Sequence, residues 1–357
     1  MSFSSPTLNR PRALLQRPWR ALSGYAVVAL LFVPASVLAQ ASDESGFVFT
    51  AGERGSSISR ADLATGIVTT VAVTVAPHNV QISADGRRLL VVGAPADPAH
   101  GAGHGHAGGA GRLLVLDPRA LNEPAAQIEV GDHPAHVVTD LQGLRAFVSN
   151  AGDDTLSVVD LDAGSVVATI STGDYPHGLR LSPDSRYLMV ANVESGSVSL
   201  IDVQSLAEVE RVAVGAAPVQ VAFLPDGSRA YVSLRDDDAV AVIDMASLKV
   251  IGRIPVGDGP IQLHATPDGT KIFVANQGSE TAPSSEVSVI DVASSSVVAT
   301  ITAGLGAHGV SISTDGSLVF VTNVEDGSLT VIDAATYEVL ATHIVGSGPN
   351  GVTYLDR

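Results

Sequence analysis

Short stretches in which apolar and polar residues alternate recur along most of the chain. One representative unit contains the stretches "VQVAF", "RAYVSL", "AVAVID" and "KVIGRIPV", joined by turn sequences such as "PDG". This alternation predicts half-buried strands, and the short polar connections predict tight turns. No stretch of helical period and length lies between the strands. The pattern therefore predicts an all-β chain.

The alternating stretches belong to an internal repeat. Residues 173–214 and 215–256 match position for position, which gives a period of 42 residues. Each unit opens with a proline or, once, an alanine. These opening residues are Pro77, Pro134, Pro176, Pro218, Pro260, Ala307 and Pro349. Four short strands in a unit of this length are typical of a β-propeller blade.

The two ends of the repeat region complete each other. The segment that begins "GFVFTAG" reads as a blade without its innermost strand, and "GPNGVTYLDR" at the C-terminus reads as an innermost strand without its blade. Pairing them closes a ring of seven blades and removes the exposed sheet edges of an open array. We therefore expect one seven-bladed propeller over residues 42–357.

The units resemble the YVTN-type, surface-layer-like β-propeller repeat. The resemblance is carried by "LMVAN", "AYVSL", "IFVAN" and "VFVTN", each followed by "VSLID", "VAVID", "VSVID" or "LTVID". It covers nearly all of the chain after the N-terminal segment and implies the propeller fold. It is nearly silent on function, because related propellers hold haem d1 or copper, cleave lactones or act as binding proteins.

The N-terminus has the pattern of a Sec-type signal peptide over residues 1–41. Four arginines and no acid precede the apolar run "ALSGYAVVALLFVPASVLA", and small residues allow cleavage after Ala39 or Ala41. A retained membrane anchor is the alternative, but the polar sequence that follows favours cleavage and no membrane insertion of the mature chain. No cysteine follows the run, so a lipid-anchored form is excluded. We expect a periplasmic or secreted protein.

Composition removes several classes of function. The formal net charge is −17, and the expected cleavage removes arginines only, so nucleic acid and anionic lipid are repelled. With no cysteine, the chain has no disulfide, no thiolate ligand and no covalent attachment for haem c. A G-x-G-x-x-G string starts at Gly103, but a strand follows it instead of the helix that nucleotide binding requires. Neither a nucleophile elbow nor an H-E-x-x-H motif is present.

Variation between units is concentrated on one rim of the predicted ring. The loops between second and third strands and the beginnings of the innermost strands lie on this rim, and one such loop is a His/Gly-rich insertion in blade 2, residues 94–111. It contains His100, His104 and His106 among glycines and alanines. We interpret it as a low-affinity metal-capture arm; slack chain is the alternative. Acidic residues, Glu53 among them, occupy the corresponding loops and read individually as a solvated surface.

The innermost strands place polar side chains just after the opening residues. This predicted ring consists of His78, His136, His177, Gln220, Gln262, His308 and Asn350, with Asn79 beside it. His78, His136 and His177 come from consecutive blades and can converge as the ligands of an open zinc or copper site, to which we add His308. The alternative is that the ring is structural and bonds backbone or channel water. Strand alternation can also direct ring residues that differ by one position after the opening residue to different faces of the sheet.

These observations favour a non-enzymatic binding protein outside the cytoplasm, with zinc, copper or a small ligand as its partner. The first alternative is a cell-envelope scaffold whose acidic rim contacts another protein without metal. The second is a lactonase-like or lyase-like propeller enzyme with a ring histidine as general base and a metal as electrophile. The sequence contains no recognisable nucleophilic centre, so no catalytic residue is assigned.

Overall fold

The computed structural model describes residues 46–96 and 109–357. These residues form seven antiparallel sheets of four strands each, and one 3-10 turn, Arg235–Asp237. The predicted all-β, seven-bladed propeller is confirmed. Within the described residues, no helix has the length and apolar character needed to cross a membrane.

Blades 2, 3 and 4 each use four consecutive strands, whereas blade 1 combines the first three strands with the last one. Blade 1 consists of β1 (Gly46–Gly52), β2 (Ser57–Asp62), β3 (Val68–Ala72) and β28 (Pro349–Asp356). Blade 2 consists of β4 (Val75–Ile82), β5 (Leu89–Pro95), β6 (Ala110–Leu116) and β7 (Ala126–Asp132). Blade 3 consists of β8 (Pro134–Thr139), β9 (Arg145–Asn150), β10 (Thr155–Asp160) and β11 (Ser165–Ser171). Blade 4 consists of β12 (Pro176–Leu181), β13 (Tyr187–Asn192), β14 (Ser197–Asp202) and β15 (Ala207–Ala213).

The other three blades each use four consecutive strands. Blade 5 consists of β16 (Pro218–Phe223), β17 (Arg229–Leu234), β18 (Ala239–Asp244) and β19 (Lys249–Pro255). Blade 6 consists of β20 (Pro260–Ala265), β21 (Lys271–Ser279), β22 (Ala282–Asp291) and β23 (Ser296–Thr302). Blade 7 consists of β24 (Ala307–Ile312), β25 (Leu318–Asn323), β26 (Ser328–Asp333) and β27 (Val339–Ile344).

The ring closes where the two ends of the repeat region meet. Strand β28 pairs antiparallel with β1, with Thr353 opposite Phe49. The innermost strands touch in the order β4, β8, β12, β16, β20, β24, β28 and back to β4, around the central channel. The predicted closure by the C-terminal strand is therefore confirmed.

The core lies between neighbouring blades. Large side chains fill the third position of the second strand in five blades, and all are fully buried. These side chains are Phe147, Met189, Tyr231, Phe273 and Phe320. Burying one such side chain contributes about 1.5–3 kcal/mol. Outer strands such as β15 keep one face exposed to solvent, so the apolar contacts concentrate on the inner three strands of each blade.

The polar motif residues that recur from unit to unit serve the fold. The amide of Asn192 donates hydrogen bonds to Ser197 Oγ (3.2 Å) and Ser199 Oγ (2.9 Å), which joins the second and third strands of blade 4. Asp202 Oδ1 accepts hydrogen bonds from the backbone N–H groups of Gln204 and Ser205 in the following turn. These motif residues have hydrogen-bond partners within their own blade. The residues that line the channel are therefore the stronger candidates for a functional site.

Every innermost strand carries a β-bulge near its beginning. In blade 4, Pro176 pairs with Asn192, but the next paired residues are Leu179 and Val190. One extra residue therefore lies on the inner strand, and strict alternation of side chains is interrupted there. The same shift occurs in blades 1, 2, 3, 5, 6 and 7. Residues one and two positions after the opening proline are thus free of the alternation rule.

Two predicted segments fall outside the described residues. The signal-peptide prediction concerns residues 1–41, all of which lie outside them. The insertion of residues 94–111 joins the second and third strands of blade 2, and its residues 97–108 also lie outside the described part. His100, His104 and His106 belong to that segment, so the capture-arm hypothesis remains a prediction.

Candidate metal centre

Three histidines from consecutive blades meet where the channel opens on the predicted variable rim. His78 lies on β4, His136 on β8 and His177 on β12. Their ring centroids are 5.9 Å apart for His78 and His136, 5.1 Å for His78 and His177, and 4.8 Å for His136 and His177. One nitrogen of each ring lies within 4.8 Å of those of the other two. We call this group the histidine triad.

The bulges explain why the triad converges despite its sequence offsets. His78 and His177 follow their opening prolines directly, whereas His136 is one residue further along. Simple alternation would separate such positions. The expectation that the offset residues point to different faces is therefore wrong for these three histidines, because the bulge in each inner strand removes the alternation.

A glycine allows blades 4 and 5 to approach closely beside His177. A side-chain carbon added to Gly178 would lie only 2.4 Å from both Val219 O and Gln220 Oε1. This close approach brings the Val219 carbonyl within reach of the imidazole, and His177 Nδ1 donates a hydrogen bond to it at 3.2 Å. The bond leaves Nε2 of His177 as the atom that faces the triad.

Glu53 orients His78 in the same way. It lies in the turn between β1 and β2, and its Oε1 accepts a hydrogen bond from His78 Nδ1 at 3.3 Å. Its other oxygen, Oε2, accepts a hydrogen bond from the Asn350 amide. A histidine whose Nδ1–H is held by a carboxylate or a backbone carbonyl presents Nε2 as a metal ligand. His78 and His177 therefore have the two arrangements most often found around protein-bound metals.

The two oriented rings face each other through nitrogen atoms. His78 Nε2 and His177 Nε2 are 3.1 Å apart, and each ring already uses its Nδ1 proton elsewhere. Two lone pairs at this distance repel unless a positive charge lies between or beside them. A proton on His78, balanced by Glu53, satisfies the pair, and so does a metal ion bound by both nitrogens.

His136 is the buried member of the triad. It is 1% exposed, and its Nε2 has no hydrogen-bond partner among the described residues. The Gln220 amide nitrogen lies 3.4 Å from its Nδ1, while Gln220 Oε1 accepts a hydrogen bond from the Val221 backbone. Metal binding through Nε2 places a proton on Nδ1, so the Gln220 amide must then turn its oxygen toward the ring.

A serine fixes the spacing between two of the ligands. Ser149 Oγ, on β9, accepts a hydrogen bond from the backbone N–H of His136 at 3.0 Å and donates one to the carbonyl of His177 at 2.5 Å. It therefore ties the inner strands of blades 3 and 4 together beside the triad. The backbones of these histidines are held before any ligand binds.

The three imidazoles differ in proton affinity. Burial lowers the pKa of His136 and His177 well below the usual value, and the charge of His78 lowers both further. Burial also opposes protonation of His78, but the Glu53 charge and hydrogen bond outweigh it and raise the pKa of His78. At neutral pH two ligands are thus unprotonated, and a metal competes with a proton chiefly at His78.

The remaining predicted residues surround the triad at different depths. Asn350 contacts Glu53 and lies 3.5 Å from His78 Nδ1, so it supports the site indirectly. His308 is 7% exposed, and neither ring nitrogen has a partner among the described residues. Asn79 accepts a hydrogen bond from the Val137 backbone at 3.4 Å. Gln262 is buried, and its amide nitrogen has no partner in the described part of the chain.

The triad geometry suits one small divalent ion after a modest adjustment. Ligand nitrogens about 2.0–2.1 Å from a tetrahedral zinc ion are about 3.3 Å apart. The His78–His177 separation of 3.1 Å is already close to this value. The widest separation within the triad, up to 4.8 Å, must close by at most about 1.5 Å.

The fold and the triad define this molecule as a seven-bladed propeller with a three-histidine cluster at one mouth of its channel. The chain belongs to the cytochrome D1 haem domain family, whose model matches residues 35–277. A comparison with curated protein sequences gives no match.

Solved structures with the same fold come from several kinds of protein. Hydrazine synthase of Kuenenia stuttgartiensis is 20% identical, with a TM-score of 0.67 over 79% of this chain and 95% of that one. A putative 6-phosphogluconolactonase of Bacteroides fragilis is 16% identical, with a TM-score of 0.72 over 88% and 99%. A dihydro-haem d1 dehydrogenase in complex with its ligand is 20% identical, with a TM-score of 0.58 over 86% and 65%. At these identities the likeness concerns the fold alone.

The described residues do not fit the haem that the family name implies. A haem iron needs an axial imidazole whose free nitrogen points into a slot wide enough for a flat macrocycle. Here the free nitrogens of His78 and His177 face each other at 3.1 Å, and His136 is packed against both rings. His308 is buried with both ring nitrogens enclosed. The cluster is too tight to admit a macrocycle.

One residue of the site, Glu53, has a larger role than its sequence position predicts. Glu53 was interpreted as one solvated acid among several on the rim, yet it bonds directly to His78. Its position in blade 1, next to the blade of His78 and in the loop between second and third strands, was the available signal. The Val219 carbonyl that orients His177 has no sequence signal, because every residue carries a carbonyl.

Proposed function

We propose that the chain is an extracytoplasmic metal-binding propeller in which His78, His136 and His177 hold one zinc or copper ion. The observation that carries the proposal is the convergence of three imidazoles whose facing nitrogens lie within 4.8 Å of one another. Three histidines are a ligand set used by both metals. The N-terminal sequence and the YVTN-type repeat motifs support the proposed location and repeat class.

The surroundings of the triad support metal binding over channel lining. A structural histidine needs one good hydrogen-bond partner, whereas here two rings have Nδ1 committed outward and Nε2 directed at each other. Glu53 adds a negative charge that offsets part of the ion's charge. The side chain of His78 is 24% exposed, so an ion can reach the triad from the rim.

Three protein ligands leave a fourth coordination position open. Structural zinc sites are normally closed by four protein ligands, and an open position is typical of sites that bind a water molecule or a substrate. The second candidate function is therefore hydrolysis of a lactone by a metal-bound water, a general route for such sites. A panel of lactones offered to the metal-loaded protein tests it, and no turnover above that of the metal-free protein would exclude it.

The decisive experiment measures metal in untagged, mature full-length protein. We expect one zinc or copper per chain by elemental analysis, and restoration of that stoichiometry after chelation and titration with either metal. The variants His136→Ala and His177→Ala should each bind at least about 100-fold more weakly. His343→Ala, on the outer strand β27, is the matched histidine control and should bind as the wild type does.

Two results would overturn the proposal. One is the absence of binding of either metal at micromolar concentration by the folded wild-type protein. The other is equal loss of affinity in His343→Ala.

Deleting residues 97–110 tests the capture arm separately. Slower uptake of metal with unchanged final affinity supports it, and unchanged uptake contradicts it. A partner protein captured equally well with and without metal would favour the envelope-scaffold alternative.

A further inference from the structure

A cationic side chain lies deeper in the channel than the histidine triad. Arg180 is the fifth residue of β12, the innermost strand of blade 4, while His177 is the second. Its neighbour Leu179 is fully buried between blades 3 and 4, whereas Arg180 retains some accessible surface. The charge of Arg180 acts on both His136 of blade 3 and His264 of blade 6, so the guanidinium lies near the central channel between these blades. The guanidinium thus lies toward the channel end opposite the rim.

The same position in the other six blades carries no charged side chain at neutral pH. Counting four residues from each opening residue gives Gln81, Val138, Ala222, His264, Ser311 and Thr353. His264 alone among these is titratable. Its Nδ1 donates a hydrogen bond to the carbonyl of Ala265 at 2.9 Å, and its pKa is lowered to about 4 by burial and by the charge of Arg180. Arg180 is therefore the one fixed charge at this level of the channel.

Arg180 has no protein partner among the described residues. No carboxylate lies within ion-pair distance of its guanidinium there, and no carbonyl or hydroxyl accepts a hydrogen bond from it. By contrast, Arg145 contacts Asp140 at 3.3 Å, and Arg253 contacts Asp237 at 2.8 Å. Burial lowers the pKa of Arg180 to about 10, and no nearby acid raises it again. The group stays charged at neutral pH.

An uncompensated charge inside a protein is costly. Moving a cation away from bulk water costs several kcal/mol unless an opposite charge and hydrogen bonds compensate it. Arg180 is only partly buried. An anion that enters the channel from solvent supplies both the missing charge and the missing acceptors.

We propose that the channel around Arg180 binds a small, planar oxyanion of single negative charge. The planar fork of a guanidinium matches two oxygens of such an ion, as it does a carboxylate. One fixed positive charge balances one negative charge. His264 lies close enough for its pKa to respond to the charge of Arg180, so it also senses whether that charge is neutralised. Arg180 also lies close enough to the histidine triad for its charge to contribute to the lowered pKa of His136, but the proposed contacts with the anion need no metal.

The test measures thermal unfolding of the chelator-treated, metal-free protein in sodium nitrate, sodium formate and sodium chloride. Ionic strength is held constant with a bulky sulfonate. We expect nitrate and formate to raise the unfolding temperature of the wild type by about 2–6 °C, with saturation. Arg180→Met should show no such rise. Arg87→Met, which removes an arginine that is 82% exposed, is the control and should respond as the wild type does.

Three outcomes would overturn the proposal: no oxyanion-specific rise in the wild type, an equal rise in Arg180→Met, or a rise with chloride but not with oxyanions. A second measurement keeps the test decisive if Arg180→Met does not fold. In the wild type, the NMR titration midpoint of His264 should move to higher pH when formate replaces the sulfonate, because formate neutralises Arg180. An unchanged midpoint would contradict binding. Since no metal is present, failure here leaves the metal proposal untouched.

Discussion

Blades 3 and 5 offer the same backbone frame to the channel mouth but different side chains. In blade 3, Ser149 joins the N–H of His136 to the carbonyl of His177. In blade 5, Ser233 accepts a hydrogen bond from the N–H of Gln220 at 3.1 Å and donates one to the carbonyl of Ile261 at 2.5 Å. The scaffold is therefore equivalent, and the ligand chemistry depends only on which side chain it carries.

The comparison shows that one backbone frame can present different side-chain chemistry in neighbouring blades. Blades 2 to 4 place histidines at the mouth, and blades 5 and 6 place Gln220 and Gln262 at the corresponding positions. An amide does not replace an imidazole as a ligand for zinc or copper. One side of the ring thus offers imidazoles that can bind metal, and the amides of blades 5 and 6 do not replace them.

Replacing His177 of blade 4 with a glutamine, the residue type that blades 5 and 6 carry, should have the largest effect on metal binding. We expect His177→Gln to weaken zinc or copper binding by more than about 100-fold, because two imidazoles remain and the nitrogen facing His78 is lost. Isothermal titration of chelated protein measures the change. Gln262→Ala is the matched control and should bind as tightly as the wild type. Comparable losses in both variants would contradict the assignment of ligands to one side of the ring.

Removing the negative charge of Glu53, which raises the pKa of His78, should have the next largest effect on metal affinity. Loss of the carboxylate that orients a metal-bound histidine typically costs about 10–100-fold in affinity, and we expect this from Glu53→Gln. The pH dependence of metal affinity shows the direction of the effect. The raised pKa of His78 makes a proton compete with metal, so affinity falls as pH drops through that pKa. In Glu53→Gln the fall should begin at lower pH. A profile that does not move would show that Glu53 has no influence on His78.

His308 should sharpen the comparison through stability, because it is a ring histidine without a ligand role in the triad. Burial lowers its pKa to about 3, from a usual value of 6.5. The unfolded chain therefore takes up this proton first, and stability falls as pH drops below about 6.5. Between pH 7 and pH 5 this amounts to about 2 kcal/mol. Urea unfolding of metal-free His308→Gln should lack that part of the acid loss, whereas His343→Gln should retain it.

The smallest effect should come from the serines that the two blades share. Ser149→Ala removes the link between the backbones of two ligands, and we expect metal affinity to fall about three- to tenfold, near 1 kcal/mol. Ser233→Ala removes the equivalent link in blade 5. It should cost similar stability but leave metal affinity unchanged. Equal affinity losses would show that both serines act on the ring as a whole.

The fold was predictable from the sequence because the repeat is strict. The opening prolines, the alternating strands and the two incomplete end units determine seven four-stranded blades and the pairing of β28 with β1. Each unit must bury its faces against its neighbours, so little freedom remains once the period is known. The Asn and Asp residues of the motifs, Asn192 and Asp202 for example, have the structural roles that such regular spacing suggests.

The site was predictable only in part. Residue type and rim position pointed to the three histidines, but their convergence depends on the inner-strand bulges, which alternation patterns do not reveal. The link from Glu53 to His78 crosses between blades and has no local signature. Arg180 was overlooked, although it is the one arginine at a position that is otherwise uncharged in every unit. Comparing units for exceptions, and not only for similarities, would have found it.

The pairing of β28 with β1 also sets the order in which the molecule can become functional. Asn350, on the last strand, supports Glu53, and Glu53 supports His78, so this chain of contacts starts at the C-terminal end. Synthesis delivers β28 after the other strands of the propeller. The blade that carries Glu53 lacks its innermost strand until then, and the ring stays open. Under the proposed metal function, full affinity therefore requires that β28 has joined blade 1.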